Sequence, residues 1–267
     1  NKNNKERGWG MMLAGCLTDR VIVDNHAASG RSTKSFINEK RWERVLDRIQ
    51  PGDYVFIQFG HNDEKEDPKL HTEPGTTFDD NLRKFVAETR SKGGIFNSMV
   101  RRKFYCNENG LYTDSLIDTH GDYLLSPKRI AEEKGVVFID MNKITHDLVK
   151  QMGPEKSKEL FMWVGKRKDD THLNIKGARI VAIEEVGKKI PALGKEIRRY
   201  DYVVATDGSG DFFTLEEALE MIPLKGKCTV LVRSGQYGPK PPFVNKKIKI
   251  TEEKGVSWGS SAAHAEK

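Results

Sequence analysis

The chain has 267 residues, 37% of them hydrophobic and 31% charged, with a formal net charge of +6. That is the size of one large domain, or of one domain with part of a second. No apolar run approaches the ~18–20 residues of a membrane-spanning helix, and a modest basic excess spread along the whole chain, without a zinc-finger, RNP or helix-turn-helix signature, speaks against a nucleic-acid partner. Cys16, Cys106 and Cys228 are far apart with no CxxC pair, so neither a disulfide framework nor a metal site is expected. The first residues, Asn1 to Gly10, are polar and lack the apolar core of a signal peptide. With no Met at position 1, the chain is expected to begin inside a longer protein.

In chain order, Val21-Ile22-Val23 reads as a short strand that runs into Asp24-Asn25-His26-Ala27-Ala28-Ser29-Gly30-Arg31-Ser32. A helix is predicted over 34–49, where Phe36, Ile37, Val45, Leu46 and Ile49 recur at helical spacing. Tyr54–Phe59, bounded by Pro51-Gly52-Asp53, predicts a buried strand. Thr77 opens a helix with Phe78, Leu82, Phe85 and Val86 on one face, stopped at Gly93-Gly94. A weaker strand over 95–100, a polar loop from Asn107 to Gly121, a helix over 123–134 and a strand Val136–Ile139 follow. Helical stretches over 142–151, 156–163 and 176–189 complete this part. Strands alternating with helices predict a parallel sheet covered on both faces, with four strands visible where five or more are usual.

The composition changes after Pro191. Tyr202–Ala205 predicts a strand, Asp207-Gly208-Ser209-Gly210-Asp211 a tight turn, Thr214–Met221 a helix, Cys228–Val232 a strand and 246–250 one more. Beyond Thr251 no periodicity is visible. The glycine-rich turn lacks the Gly-Lys-Ser/Thr ending of a phosphate loop and is read as structural. Likewise Asn25–Ser32 is not the glycine-rich loop that a flavodoxin-like nucleotide binder needs.

Three polar clusters stand out. Gly60-His61-Asn62-Asp63 follows directly on a buried strand, and the carboxyl ends of such strands are where open α/β sheets bind ligands. In Asp169-x-x-His172 the carboxylate can turn back on the imidazole, fix its tautomer and leave Nε2 as a base. Gly30, at a strand-to-helix turn, presents a backbone N–H. A backbone donor, an amide donor and a His/Asp pair are the equipment of acyl transfer, short of a nucleophile.

The ordered set Asn25-x-Ala27-x-Ser29-Gly30-Arg31-Ser32, Gly60-His61-Asn62-Asp63 and Asp169-x-x-His172 resembles the SGNH (GDSL-type) hydrolases. Lys34–Ile37, Gly52–Asp63, Thr119–Tyr123 and Asp169–Asn174 resemble the rhamnogalacturonan acetylesterase branch in particular. The resemblance covers residues 1–193 and implies a flavodoxin-like three-layer α/β/α fold. It makes His172 the general base and Asp169 its partner, gives Gly30 N–H and the Asn62 amide to the oxyanion hole, leaves His61 a structural neighbour, and requires no cofactor. The implied substrate is an acetylated pectic polysaccharide, and the implied location is outside the cell or in the periplasm.

Two departures accompany the resemblance. No Gly-Asp-Ser block precedes Gly8, so the first strand and its serine nucleophile are expected to be missing. Ser29, Ser32 and Ser35, on the turn and helix after the second strand, are poor substitutes. The chain is therefore expected to be inactive or nearly so, and a non-catalytic pectin-binding or degenerate esterase-fold protein is the competing reading. The second departure is 94–102, where a smoother strand is expected. Residues 194–267 carry a separate resemblance: Val203-Val204-Ala205-Thr206-Asp207-Gly208-Ser209-Gly210-Asp211-Phe212, Thr214-x-x-x-Ala218-x-x-x-Ile222-Pro223 and Val232-x-x-Gly235-x-Tyr237 resemble the opening of a pectin methylesterase. That implies the first coil of a right-handed parallel β-helix, without the catalytic aspartates of later coils.

Overall fold

The computed structural model describes residues 6–90, 94–95, 104–163, 165–198, 200–222, 227–242 and 247–260. The chain divides into two compact units, one made of 26–172 and one made of 1–25 with 173–267. The division does not fall at 193. The segment before the first unit and the segment after it are instead joined through the Trp9–Cys16 helix, which packs on Ile175–Lys189.

The 26–172 unit is built on an aromatic core. The Thr77–Thr89 helix carries Phe78, Leu82, Phe85 and Val86 at positions i, i+4, i+7 and i+8, and all four are buried; this spacing keeps one stripe facing inward. Trp42 lies against Phe85 at 4.3 Å between ring centroids, and Phe59 lies 5.6 Å from Phe85 and 5.4 Å from Phe36. Ile57, Ile130 and Ala131 close the cluster. Val55–Phe56 pairs in parallel with Gly94–Ile95, Phe104–Cys106 pairs antiparallel with Tyr112–Leu116, and Phe161–Met162 shares a two-stranded sheet with Asp169–Leu173.

Several expected elements take another form. The helix expected over 34–49 is two short helices, Thr33–Asn38 and Arg41–Leu46, broken where Lys40 turns left-handed at φ 55°. Glu39, at the break, binds both Arg31 and Arg41. Val136–Ile139 buries Ile139, and Val21–Val23 leaves Ile22 92% exposed; neither belongs to a ladder among the described residues. A short apolar run becomes a strand only where a neighbour takes up its backbone groups. The helix over 123–134 is a 3₁₀ turn, Gly121–Leu124, leading into Leu125–Lys134 and ended by Gly135 at φ 62°. The two helical stretches after Val136–Ile139 are Met141–Lys156, kinked at Gly153-Pro154, and a 3₁₀ turn, Ser157–Leu160. Of the weak strand expected over 95–100, residues 96–100 lie outside the described residues, as do Gly93 and Lys246.

In the other unit a buried ion pair, Arg179–Asp211, lies under the Trp9–Cys16 helix. Asp211 also accepts from the Val203 backbone N–H at 2.7 Å, and Gly15 comes so close that a Cβ there would lie 2.9 Å from the Asp211 carboxylate carbon. Cys228–Val232 is flanked in parallel by Tyr202–Val204 and by Ile248–Glu252. Gly235–Pro239 is paired in parallel with Val256–Gly259, a strand that the aperiodic tail did not predict. Cys228 lies opposite Ile248 and Gly235 opposite Val256, so one strand–bend–strand segment is laid along the next. Tyr237 and Trp258 face each other in that register with ring centroids 5.2 Å apart.

Candidate active site

The turn around Gly30 is shaped by the helix that follows it. Ser32 caps Thr33–Asn38: its hydroxyl accepts from the Ser35 N–H at 3.1 Å, and the Ser35 hydroxyl accepts from the Ser32 N–H at 2.9 Å. This reciprocal box satisfies two orphan donors and occupies both hydroxyls as caps. Gly30 has φ 76°, a conformation that a side chain resists, and the space beside its α-carbon is open.

The second turn begins at Gly60, with φ 129°. Asn62 Nδ2 donates to the Arg31 carbonyl at 3.2 Å, so the expected amide donor is tied to the residue directly after Gly30. What holds the two turns together is Asp63. It is fully buried, and its carboxylate accepts from the backbone N–H of Thr33 at 3.0 Å, of Gly60 at 3.2 Å, from the Thr72 hydroxyl at 2.8 Å and from the Thr33 hydroxyl. Burial pushes the Asp63 carboxyl above the usual carboxylate range, against the donors from Thr33, Thr72 and Gly60. The sequence places Asp63 in the Gly60–Asp63 cluster and assigns it no role of its own. Its partners Thr33 and Thr72 are distant in sequence and neither forms a motif with it.

The Asp169–Leu173 strand carries the acid–base pair. Asp169 Oδ2 lies 2.9 Å from His172 Nδ1, while Oδ1 accepts from the backbone N–H groups of Thr171 at 2.8 Å and His172 at 2.9 Å. Burial works against ionisation of Asp169, but those two backbone donors, Arg167 at 2.5 Å and the His172 ring overcome it and hold the carboxyl well below the usual range. An ionised carboxylate can only accept, so Nδ1 carries the imidazole proton and Nε2 is left with its lone pair. The His172 side chain is 47% exposed. Asp170 is turned to a different task, accepting from Trp163 Nε1 at 2.7 Å. Among the described residues no serine hydroxyl is hydrogen-bonded to His172.

The structure thus places Gly30 and Asn62 at adjoining turns and joins Asp169 to His172, all within the 26–172 unit. These turns carry the signature blocks of an acyl hydrolase. Residues 1–180 match the model of the GDSL-like lipase/acylhydrolase family, and the chain belongs to that family. Its relatives narrow the class. The chain is 36% identical over 212 residues to the rhamnogalacturonan acetylesterase RhgT of Bacillus subtilis, covering 75% of this chain and 87% of that protein. It is 35% identical over 195 residues to the probable rhamnogalacturonan acetylesterase YesY of the same organism, covering 72% and 87%. Among solved structures, that of YxiM from Bacillus subtilis superposes with a TM-score of 0.60 at 26% identity, covering 72% of this chain and 52% of that one. RhgT is a rhamnogalacturonan acetylesterase and YesY a probable one, and carboxylic-ester hydrolysis is the activity of the class.

Proposed function

We propose that this chain carries the base and oxyanion-binding parts of an esterase that removes acetyl groups from a pectic polysaccharide of the rhamnogalacturonan type. The observation that carries the reading is the Asp169–His172 pair, with Nδ1 held by an ionised carboxylate and Nε2 turned free of it. In this scheme a serine hydroxyl attacks the acetyl carbonyl, and its proton passes to His172 Nε2. The negative charge that develops on the carbonyl oxygen is met by the Gly30 N–H and the Asn62 amide. The protonated imidazole then returns its proton to the departing sugar hydroxyl. Water, deprotonated by the same His172, attacks the acetyl-enzyme and releases acetate. The nucleophile belongs to a Gly-Asp-Ser block, which occurs nowhere in the 267 residues. Since no described serine is bonded to His172, the chain by itself is expected to release acetate at background rate.

The test is acetate release from acetylated rhamnogalacturonan by the chain carrying an added N-terminal Gly-Asp-Ser segment. Turnover that disappears in His172→Ala supports the reading. No turnover, together with saturable binding of the polymer, favours the second reading, a pectin-binding protein that keeps an esterase fold. A polymer of this kind cannot cross a membrane, so the proposed location is the periplasm or the cell exterior. For residues 194–267 we read the start of a parallel β-helix of the pectin methylesterase type. The parallel pairs of Cys228–Val232 with Ile248–Glu252 and of Gly235–Pro239 with Val256–Gly259 support it.

A further inference from the structure

Beside the Asn62 turn lies a cluster that the esterase chemistry does not use. Glu64 stands between two imidazoles, with Oε1 3.3 Å from His61 Nδ1 and Oε2 2.9 Å from His120 Nδ1. The two rings are 5.9 Å apart and nearly perpendicular. One donor atom from each of the three residues falls within 4.8 Å of the others. We propose that His61, Glu64 and His120 form a binding site for one divalent transition-metal ion, of which Zn²⁺ is the type.

The donor set decides the class of ion. Two imidazole nitrogens and one carboxylate oxygen suit Zn²⁺, Ni²⁺ or Cu²⁺, whereas Mg²⁺ and Ca²⁺ take oxygen. With metal–ligand bonds near 2.0–2.2 Å, the donors of a tetrahedral ion lie about 3.3 Å apart. His61 Nδ1 already lies at that distance from Oε1, while His120 Nδ1 faces the other oxygen, Oε2, at 2.9 Å, so a single carboxylate oxygen meets both rings after a rotation of the Glu64 side chain. Three protein ligands and one open position make a complete tetrahedral shell. The opening is on the His61 side: the His120 side chain is buried, and His61 stands at the rim, about one-third exposed.

The ligands sit on turns that are fixed without the ion. Glu64 N–H closes the second turn by donating to the Gly60 carbonyl at 3.0 Å. His120 N–H donates to Asp118 Oδ1 at 3.0 Å, and its carbonyl accepts from Tyr123 N–H at 3.2 Å. The Tyr123 hydroxyl crosses to the other turn, donating to the carbonyls of Asp63 at 3.2 Å and Thr72 at 2.5 Å. An ion here would therefore fasten the turn that carries Asn62 to the Asp118–Tyr123 turn. The set contains no cysteine, and its third member is far along the chain from the other two, so cysteine spacing carried no sign of it.

Calorimetric titration of Zn²⁺ into the tag-free 267-residue protein near neutral pH tests the site, with the visible absorption of bound Co²⁺ as a second readout. The expected result is one ion per chain. Binding should be at least about tenfold weaker in Glu64→Gln and in His61→Ala, and unchanged in His172→Ala. Because His61 is at the rim, its variant remains informative should removal of the partly buried Glu64 charge impair folding. The proposal is overturned by absence of binding in the parent protein, by undiminished binding in His61→Ala, or by loss of binding in His172→Ala.

Discussion

Asp63 and Asp169 are two aspartates of the candidate site, each gathering backbone donors, and their carboxyls move in opposite directions. Around Asp63 every donor is uncharged, the group is fully buried, and desolvation prevails, so its carboxyl rises above the usual range. Around Asp169 two backbone N–H groups are joined by the Arg167 guanidinium and the His172 ring near the surface, and the donors prevail. The number of hydrogen bonds does not distinguish the two sites. What distinguishes them is whether solvent and a cation share in stabilising the charge. Asp63 is thereby an architectural clamp that holds the Gly30 and Asn62 turns in place, and Asp169 is an electrostatic partner that sets the state of one imidazole.

The largest expected effect is on rate. In the form of the protein that carries a Gly-Asp-Ser segment, Asp169→Asn is expected to lower the turnover number by about 10⁴-fold, as loss of the correct tautomer does in Ser-His-Asp enzymes. A variant that keeps more than a tenth of the activity would remove Asp169 from the mechanism. Next comes Asp63→Ala, which leaves the Thr33 and Gly60 N–H groups and two threonine hydroxyls buried without their acceptor. At about 1–3 kcal/mol for each buried group left unsatisfied, the loss of stability should be at least about 4 kcal/mol. A loss below ~1 kcal/mol in urea unfolding would mean that water or a local rearrangement replaces the clamp. Ser32→Ala removes half of the capping box beside it and should cost about 1 kcal/mol. Its effect should be contained within that of Asp63→Ala when the two are combined, since both act on the start of the same helix.

The contrast also marks what the sequence could and could not disclose. The Asp169–His172 pair is local, three residues apart, and a motif expresses it. The stripe Phe78, Leu82, Phe85 and Val86 is local too and follows the helical period. The Asp63 clamp depends on Thr33 and Thr72 coming to it from other segments, and no spacing rule connects them. Lys40 is similar: with no Gly or Pro to punctuate 34–49, one periodic run was expected, and the break is visible only in the backbone and in Glu39 gripping Arg31 and Arg41. Val256–Gly259 is a strand because Gly235–Pro239 lies beside it, and its own four residues show no period long enough to read. Val21–Val23 and Val136–Ile139 err in the other direction, being strand-like in composition and lacking a ladder partner among the described residues.

The smallest expected effect is in the pH dependence of stability, and there the two aspartates should act with opposite sign. Asp169 has a depressed carboxyl in the folded state. Its stabilisation is complete above the unfolded value of about 3.9 and is lost as the pH falls below it, since the unfolded chain then takes up the proton more readily. Asp63 has a raised carboxyl. Its contribution is complete below about 3.9 and is lost as the pH rises through the folded value, because the clamp must then hold a buried charge. Asp169→Asn should therefore flatten the acid limb of a plot of urea midpoint against pH, and Asp63→Asn should flatten the decline on the higher-pH side of that limb. If both variants flatten the same limb, burial does not govern Asp63, and the two aspartates differ only in their partners.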